Sequence, residues 1–225
     1  MLSKYQFEQK YGKIECDNHN DKMAGLCSIS TSPLCNPHCE KRHNLPKEAG
    51  CICSYCYSEI MNDRFARLRN KLIRNTELLT EQLIPVEDIP VLNSPTGFYR
   101  FEAFGDLINS IQVMNYFHFA RYNPQTQFAL WTKNPWIIKE AIEKHGLKKP
   151  DNLIIVLSSP IINKALDYNV MKQVYPFIDY TFTVYTKEYA AENNIKIVCG
   201  GNSCAMCGKC YLASHDQRNI TELLK

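Results

Sequence analysis

Residues 97–106 read GFYRFEAFGD, residues 128–131 read FALW, and residues 153–157 read LIIVL. Between the first two lies a helical stretch, Ile108 to Tyr122, with Ile111, Met114 and Phe117 spaced as one apolar stripe. Between the second and third lies another, residues 136–145, carrying Trp136, Ile138, Ala141 and Ile142. The run LIIVL has no polar alternation, as expected of a strand covered on both faces. Each apolar run ends in turn-forming or polar residues: Gly105-Asp106, then Thr132-Lys133-Asn134-Pro135, then Ser158-Ser159-Pro160. Strands alternating with helices predict parallel pairing through crossover helices.

The pattern continues outward. Residues 163–175 read as a weaker helix, and Tyr180 to Tyr185 (YTFTVY) as a β-branched, aromatic strand. Ile195 to Val198 reads as the last strand, running straight into Cys199. Upstream, residues 23–30 (MAGLCSIS) fit a first buried strand, with Cys27 packing there as a small hydrophobe. Residues 58–84 read as one long helix with Met61, Phe65, Leu68 and Leu72 on one face. Arg64, Arg67, Lys71 and Arg74 form a basic stripe beside it, either a solvated face or a contact for phosphates or an acidic partner. Pro85 and Pro90 end that helix.

About six strands result, too few to close an eight-stranded barrel. The expected fold is α/β, a partial (βα)6 barrel, with an open doubly wound sheet as the alternative. In both, sites gather at the carboxyl ends of the strands. The expected organisation is a polar lead-in over 1–22, the α/β unit over 23–198 with a cysteine loop at 35–57, and a C-terminal cysteine segment over 199–225. Cys16 and His19 read as ordinary residues of the lead-in.

A chain of 225 residues with 45% hydrophobic and 22% charged residues is that of a folded globular protein. A net charge of +3 is too small to imply nucleic acid or membrane by itself. The polar start, MLSKYQFEQKYGK, has no apolar signal region, and no apolar run reaches the ~20 residues of a membrane span. A cytoplasmic setting is the expectation. Thiols stay reduced there, so 11 cysteines argue for metal ligation over disulfides.

The cysteines fall in two groups. The first is Cys35, Cys39, Cys51, Cys53 and Cys56, five thiols within 22 positions. Thiolates select zinc or iron–sulfur clusters, and Cys53-x2-Cys56 lets one turn aim two sulfurs at a point. Three thiolates on a four-iron cubane leave one iron without a protein ligand, the open position that metal catalysis requires. His38 and His43 lie nearby and read as exposed loop residues. The second group is Cys199-Gly-Gly-Asn-Ser-Cys204-Ala-Met-Cys207-Gly-Lys-Cys210. Its C-x2-C-x2-C core matches a cubane-wrapping run, and four ligands suit a closed site for relay or structure. Gly200, Gly201 and Gly208 permit the turns that wrapping needs. Zinc is the alternative metal for both groups.

The segments Ser28-Ile-Ser30…Cys35, Cys51-x-Cys53-x2-Cys56-Tyr57, Asn75-Thr-Glu-Leu-Leu79, Phe98-Tyr-Arg100-Phe-x3-Gly105-Asp106, Trp131-Thr-Lys133, Pro150-x-Asn152-Leu and the terminal cysteines resemble the phage gene-product-88 family. The cysteine loop and barrel in turn resemble radical S-adenosylmethionine (SAM) enzymes. That resemblance implies a catalytic [4Fe-4S] cluster on Cys35, Cys53 and Cys56, with Cys39 and Cys51 as extra ligands. It implies a second cluster on Cys199, Cys204, Cys207 and Cys210. It puts Tyr55, the aromatic residue before the last cysteine, at the cofactor, and gives Gly105 and Asp106 the seating of SAM. A departure is plain: Ala49, not a cysteine, stands four residues before Cys53.

The implied function is reductive cleavage of SAM to a radical that abstracts hydrogen from an unknown, nucleic-acid or nucleotide, substrate. A reductant such as flavodoxin or ferredoxin and no membrane partner follow from it. Lys133, Arg100 and Glu102, polar residues on or after strands, are the candidates for catalytic work, although Arg100 and Glu102 also read as a buried structural pair. Two other classes remain open: a zinc-held module binding nucleic acid or protein, and a non-catalytic iron–sulfur protein for electron transfer or sensing.

Overall fold

The computed structural model describes residues 2–19, 22–200, 203–214 and 216–224; Gly201, one of the glycines expected to turn the second cysteine group, lies outside them. Seven strands form one sheet: β1 (Asp17–Asn18), β2 (Cys27–Ile29), β3 (Phe98–Phe101), β4 (Gln127–Thr132), β5 (Leu153–Ser158), β6 (Tyr180–Tyr185) and β7 (Asn219–Leu223). They lie in chain order from β1 to β7. The β1–β2 pair is antiparallel and β2 to β7 are parallel throughout. A doubly wound sheet reverses its strand order partway across; this one does not.

The helices are α1 (Lys4–Tyr11), α2 (Pro37–His43), α3 (Tyr57–Arg64), α4 (Ala66–Glu81), α5 (Ser110–Tyr122), α6 (Pro135–His145), α7 (Tyr168–Val174), α8 (Lys187–Glu192) and α9 (Cys204–Cys207). Strand side chains alternate between faces. One set, including Tyr99, Phe101, Phe128, Leu130, Leu153, Ile155 and Leu157, packs against Phe7 of α1, Leu79 of α4, Phe117 of α5 and Ile138 of α6. The opposite set, including Ala129, Trp131, Ile154, Val156, Tyr180, Phe182 and Ile220, packs against Cys199, Cys204, Cys210 and Tyr211. Helices α1, α4, α5 and α6 therefore cover one face, and the C-terminal cysteine segment, with its one-turn helix α9, covers the other. Among the described residues no helix is long and apolar enough to cross a membrane.

Three expectations need correction. The lead-in is not all surface. Ser3 and Gln6 form a capping box on α1, which carries Phe7 into the core at 1% exposure. The expected long helix is broken at Phe65, whose backbone is extended. Asn62 back-bonds the Ser58 carbonyl, and its own carbonyl accepts from the Arg69 guanidinium at 3.3 Å, so a side chain takes the place of the next helical amide. Residues 195–198 are not a strand. The sixth parallel strand is β7, twenty residues later, with Ile220 only 2% exposed. The Ile195–Val198 segment runs beside it, where Val198 and Cys199 amides donate to the Thr221 carbonyl at 3.2 and 2.8 Å.

Truncating a buried Ile to Ala costs ~2–5 kcal/mol. Ile220→Ala should lower stability by about 2–4 kcal/mol in urea unfolding, and Ile197→Ala, half-buried beside the sheet, by about 1 kcal/mol or less. The reverse ranking would restore 195–198 as the strand.

Candidate functional site at the carboxyl edge of the sheet

Because β2 to β5 are parallel, the segments that follow them meet at one edge. Asp106, 4% exposed, organises it. Its Oδ1 accepts from Thr132 Oγ1 at 2.5 Å and from the Leu107 amide at 2.8 Å; its Oδ2 accepts from the Lys133 amide at 3.0 Å. Arg42 stands 3.9 Å from the same carboxylate and donates to the Lys133 carbonyl at 3.1 Å. Asn36, 1% exposed, caps α2 through its Oδ1, and its Nδ2 donates to the Asp106 and Leu107 carbonyls at 2.9 and 3.3 Å. The cysteine loop is thus docked over β3 and β4. It also reaches β5: Ile52 donates to the Pro160 carbonyl, Ile162 donates to that of Gly50, and Cys51 bridges Ile161. Asn36-Pro37 is a cap followed by a first-turn proline, a signal readable in the sequence but not used there.

Within this loop the thiols separate. Cys35 is exposed in the turn Pro33–Cys35. Cys51 is 1% exposed, held by its bridge. Cys39, Cys53 and Cys56 share one neighbourhood. Burial pushes the Cys39 thiol far up, Asp106 adds to that, and Lys133 opposes it; Cys53 and Cys56 are the next charges it feels. Burial likewise pushes Cys53 up to about 11; Lys133 and Arg42 oppose this, and Cys51 and then Cys56 add to it. For Lys133 burial acts to lower the ammonium, and Cys53, Asp106 and Cys39 outweigh it, so the group is held above its ordinary value. Its Nζ has no hydrogen-bond partner among the described residues. Those residues hold no group of three His, Cys, Asp or Glu side chains already arranged around one metal ion.

Beneath the loop lies a buried carboxyl. Glu102, 2% exposed, closes β3 with a left-handed backbone, φ 57°, a conformation that costs a non-glycine residue ~1–3 kcal/mol. Its carboxylate accepts from the Thr31 amide at 3.2 Å, Thr31 Oγ1 at 3.0 Å and Gln112 Nε2 at 2.7 Å, and from the Tyr116 hydroxyl. Gly105 is packed against it: a Cβ there would stand 2.5 Å from both Glu102 Oε2 and the Thr31 carbonyl. No side chain fits.

The other sequence candidates fall as follows. Tyr55 is 44% exposed, with Lys47 Nζ 5.3 Å from its ring centroid. His43 Nδ1 lies 2.7 Å from Glu59 and 3.1 Å from the Cys53 carbonyl, and His38 packs edge-on against Trp136, so neither histidine is an idle loop residue. Arg100 and Glu102 are not a buried pair: Arg100 Nη1 contacts Met23 Sδ at 3.4 Å, and its guanidinium lies 4.6 Å over Trp131. Asn75, fully buried, bonds Glu15 and Ser30. Half the basic stripe is used internally, Lys71 on Asp17 and Arg74 on Glu15. Arg64 and Arg67 remain exposed.

The second cysteine group lies on the face opposite α1, α4, α5 and α6. Lys22 Nζ stands 2.9 Å from Cys199 Sγ and 2.6 Å from Glu222. Burial pushes Cys204 up, and Cys210 up to about 12, while each feels Arg100 and the other three thiols of the group or their nearest members. Gly208, at φ 61°, closes α9 and lies against Phe98.

Fold and site together define a mixed α/β protein with a six-stranded parallel sheet, a cysteine loop over its carboxyl edge and a cysteine segment on its open face. The chain belongs to the phage gene product 88 family, whose pattern matches residues 13–219. No curated protein and no solved structure matches it.

Burial lifts the Glu102 carboxyl from 4.5 to about 7, against the donors that favour its ionised form. The folded state then holds this proton more tightly than the unfolded chain. The stability it contributes is present at acid pH and is lost as pH rises from about 4.5 to about 7, by roughly 3 kcal/mol. Glu102→Gln removes the titration. Urea unfolding from pH 4.5 to 8 should show the variant gaining on the wild type across that window; parallel curves would contradict the assignment.

Proposed function

We propose that the chain is an iron–sulfur enzyme of radical-SAM-like type built on a partial (βα)6 barrel. The observation that carries this reading is that Cys39 and Cys53 act on Lys133, and Cys56 on both thiols, over the carboxyl ends of parallel strands laid in unreversed order. Three thiolates leave a cubane with one iron open to a small molecule. In this reading Cys39 takes the place that the resemblance gives to Cys35, because Asn36 and Arg42 dock α2 and its cysteine against Asp106.

The chain's own residues have distinct tasks. Lys133 would offset the charge of the half-buried Cys39 and Cys53 thiolates, and Arg42 that of Cys53. Asp106 has both oxygens committed to Thr132, Leu107 and Lys133, so it positions the lysine and the loop and does not itself seat a cofactor. The ammonium of Lys133 is the free donor for a carboxylate such as that of SAM. Gly105 permits the close packing of Thr31 on Glu102 that fixes the floor. When bound, the cluster supplies one electron at the open iron. The four C-terminal cysteines hold a second, fully ligated cluster that serves relay or structure. The substrate class stays as the resemblance implies, a nucleotide or nucleic acid.

Iron analysis of protein purified without oxygen tests the ligand set. Cys39→Ala should lose about half of the iron, the share of one of two cubanes, while Cys35→Ala keeps it. Loss on Cys35→Ala with retention on Cys39→Ala would return the triad to Cys35. Colourless wild-type protein carrying zinc would end the reading.

A further inference from the structure

Arg100 sits on β3 opposite Ala129 of β4, on the face that the C-terminal cysteine segment covers. It is half-buried, yet no carboxylate pairs with it among the described residues. Its one hydrogen-bond acceptor is the Met23 thioether, a weak one. Its Nε is buried without a partner, and so is the indole Nε1 of Trp131, on which the guanidinium lies at 4.6 Å. A buried donor left unmade costs ~1–3 kcal/mol, more when it is charged. Two such donors side by side, one of them cationic, are what an oxyanion satisfies.

The position adds to this. The charge of Arg100 acts on Tyr57, whose hydroxyl donates to the Ala103 carbonyl beside the first cysteine loop. It also acts on Cys204, Cys210 and Tyr211 of the second group. The charge of Arg100 therefore reaches both cysteine groups.

We propose that Arg100 and Trp131 form an anion subsite on the cysteine-segment face of the sheet that takes the phosphate or carboxylate of the substrate. Only the word substrate rests on the enzyme reading above; the subsite itself stands without any cluster chemistry. The guanidinium supplies the charge and a fork of donors, and the indole supplies one further donor and a flat wall.

The chain has two tryptophans, so Trp136→Phe leaves Trp131 as the sole indole reporter. In that background, as-isolated protein is titrated with sodium phosphate and, separately, with sodium acetate, at ionic strength held constant with chloride. A saturable change in Trp131 emission is expected, with Arg100→Gln binding about tenfold more weakly and Arg100→Lys, which keeps the charge, in between. Response to phosphate alone assigns a phosphoryl ligand, and response to acetate alone assigns a carboxylate. No saturable change with either anion would overturn the proposal. So would equal binding by Arg100→Gln, or binding that appears only after a chelator strips the cysteines, which would make Arg100 the counter-ion of the second group.

Discussion

The Asp106 carboxylate is the interaction on which the rest of the edge depends. It sits where β3 has ended, and it takes donors from the next strand end and the start of its own loop. Arg42 faces it from the cysteine loop. One buried anion thus fixes the spacing of two strand ends and the seat of the segment that carries the thiols. A buried charge is costly unless paired and hydrogen-bonded. Here three donors and a guanidinium meet that requirement, and Lys133 is held above its ordinary value partly by the same charge.

Below it, Glu102 and Gly105 form a second constraint of the opposite kind. The carboxyl is walled in with no cation, its donors coming from Thr31, Gln112 and Tyr116. A left-handed glutamate and a glycine with no room for a Cβ are both unfavourable choices locally. They persist where surrounding contacts over-determine them, which is characteristic of sites. The two acidic residues therefore divide the work: Asp106 orients what faces the loop, and Glu102 ties β3 to α5 and to the segment leaving β2.

How far the sequence could be read follows from the range of the forces involved. Strands β3 to β6 are apolar runs bounded by turn residues, so local pattern finds them within a residue or two. Strand β7 reads Asn-Ile-Thr-Glu-Leu, polar enough to pass for a tail, and only its neighbour β6 makes it a strand. The break at Phe65 depends on Arg69 reaching back to Asn62. The gathering of Cys39 with Cys53 and Cys56 depends on Asn36 and Arg42 meeting residues some seventy to ninety positions away, and cysteine spacing carries no trace of that. Conversely, the meeting of Gly105-Asp106 with Lys133 at one edge is legible because parallel strands deliver their following residues there.

The account's central claim is that the two cysteine groups hold iron and sulfide, one of them with an open iron. It is tested most directly by iron, sulfide and zinc content of the whole chain purified without oxygen, with visible spectra before and after adding SAM. The account predicts brown protein, iron and sulfide for two cubanes, and a spectrum that shifts on addition. Colourless protein with stoichiometric zinc, or a brown protein whose spectrum SAM leaves unmoved, would contradict it.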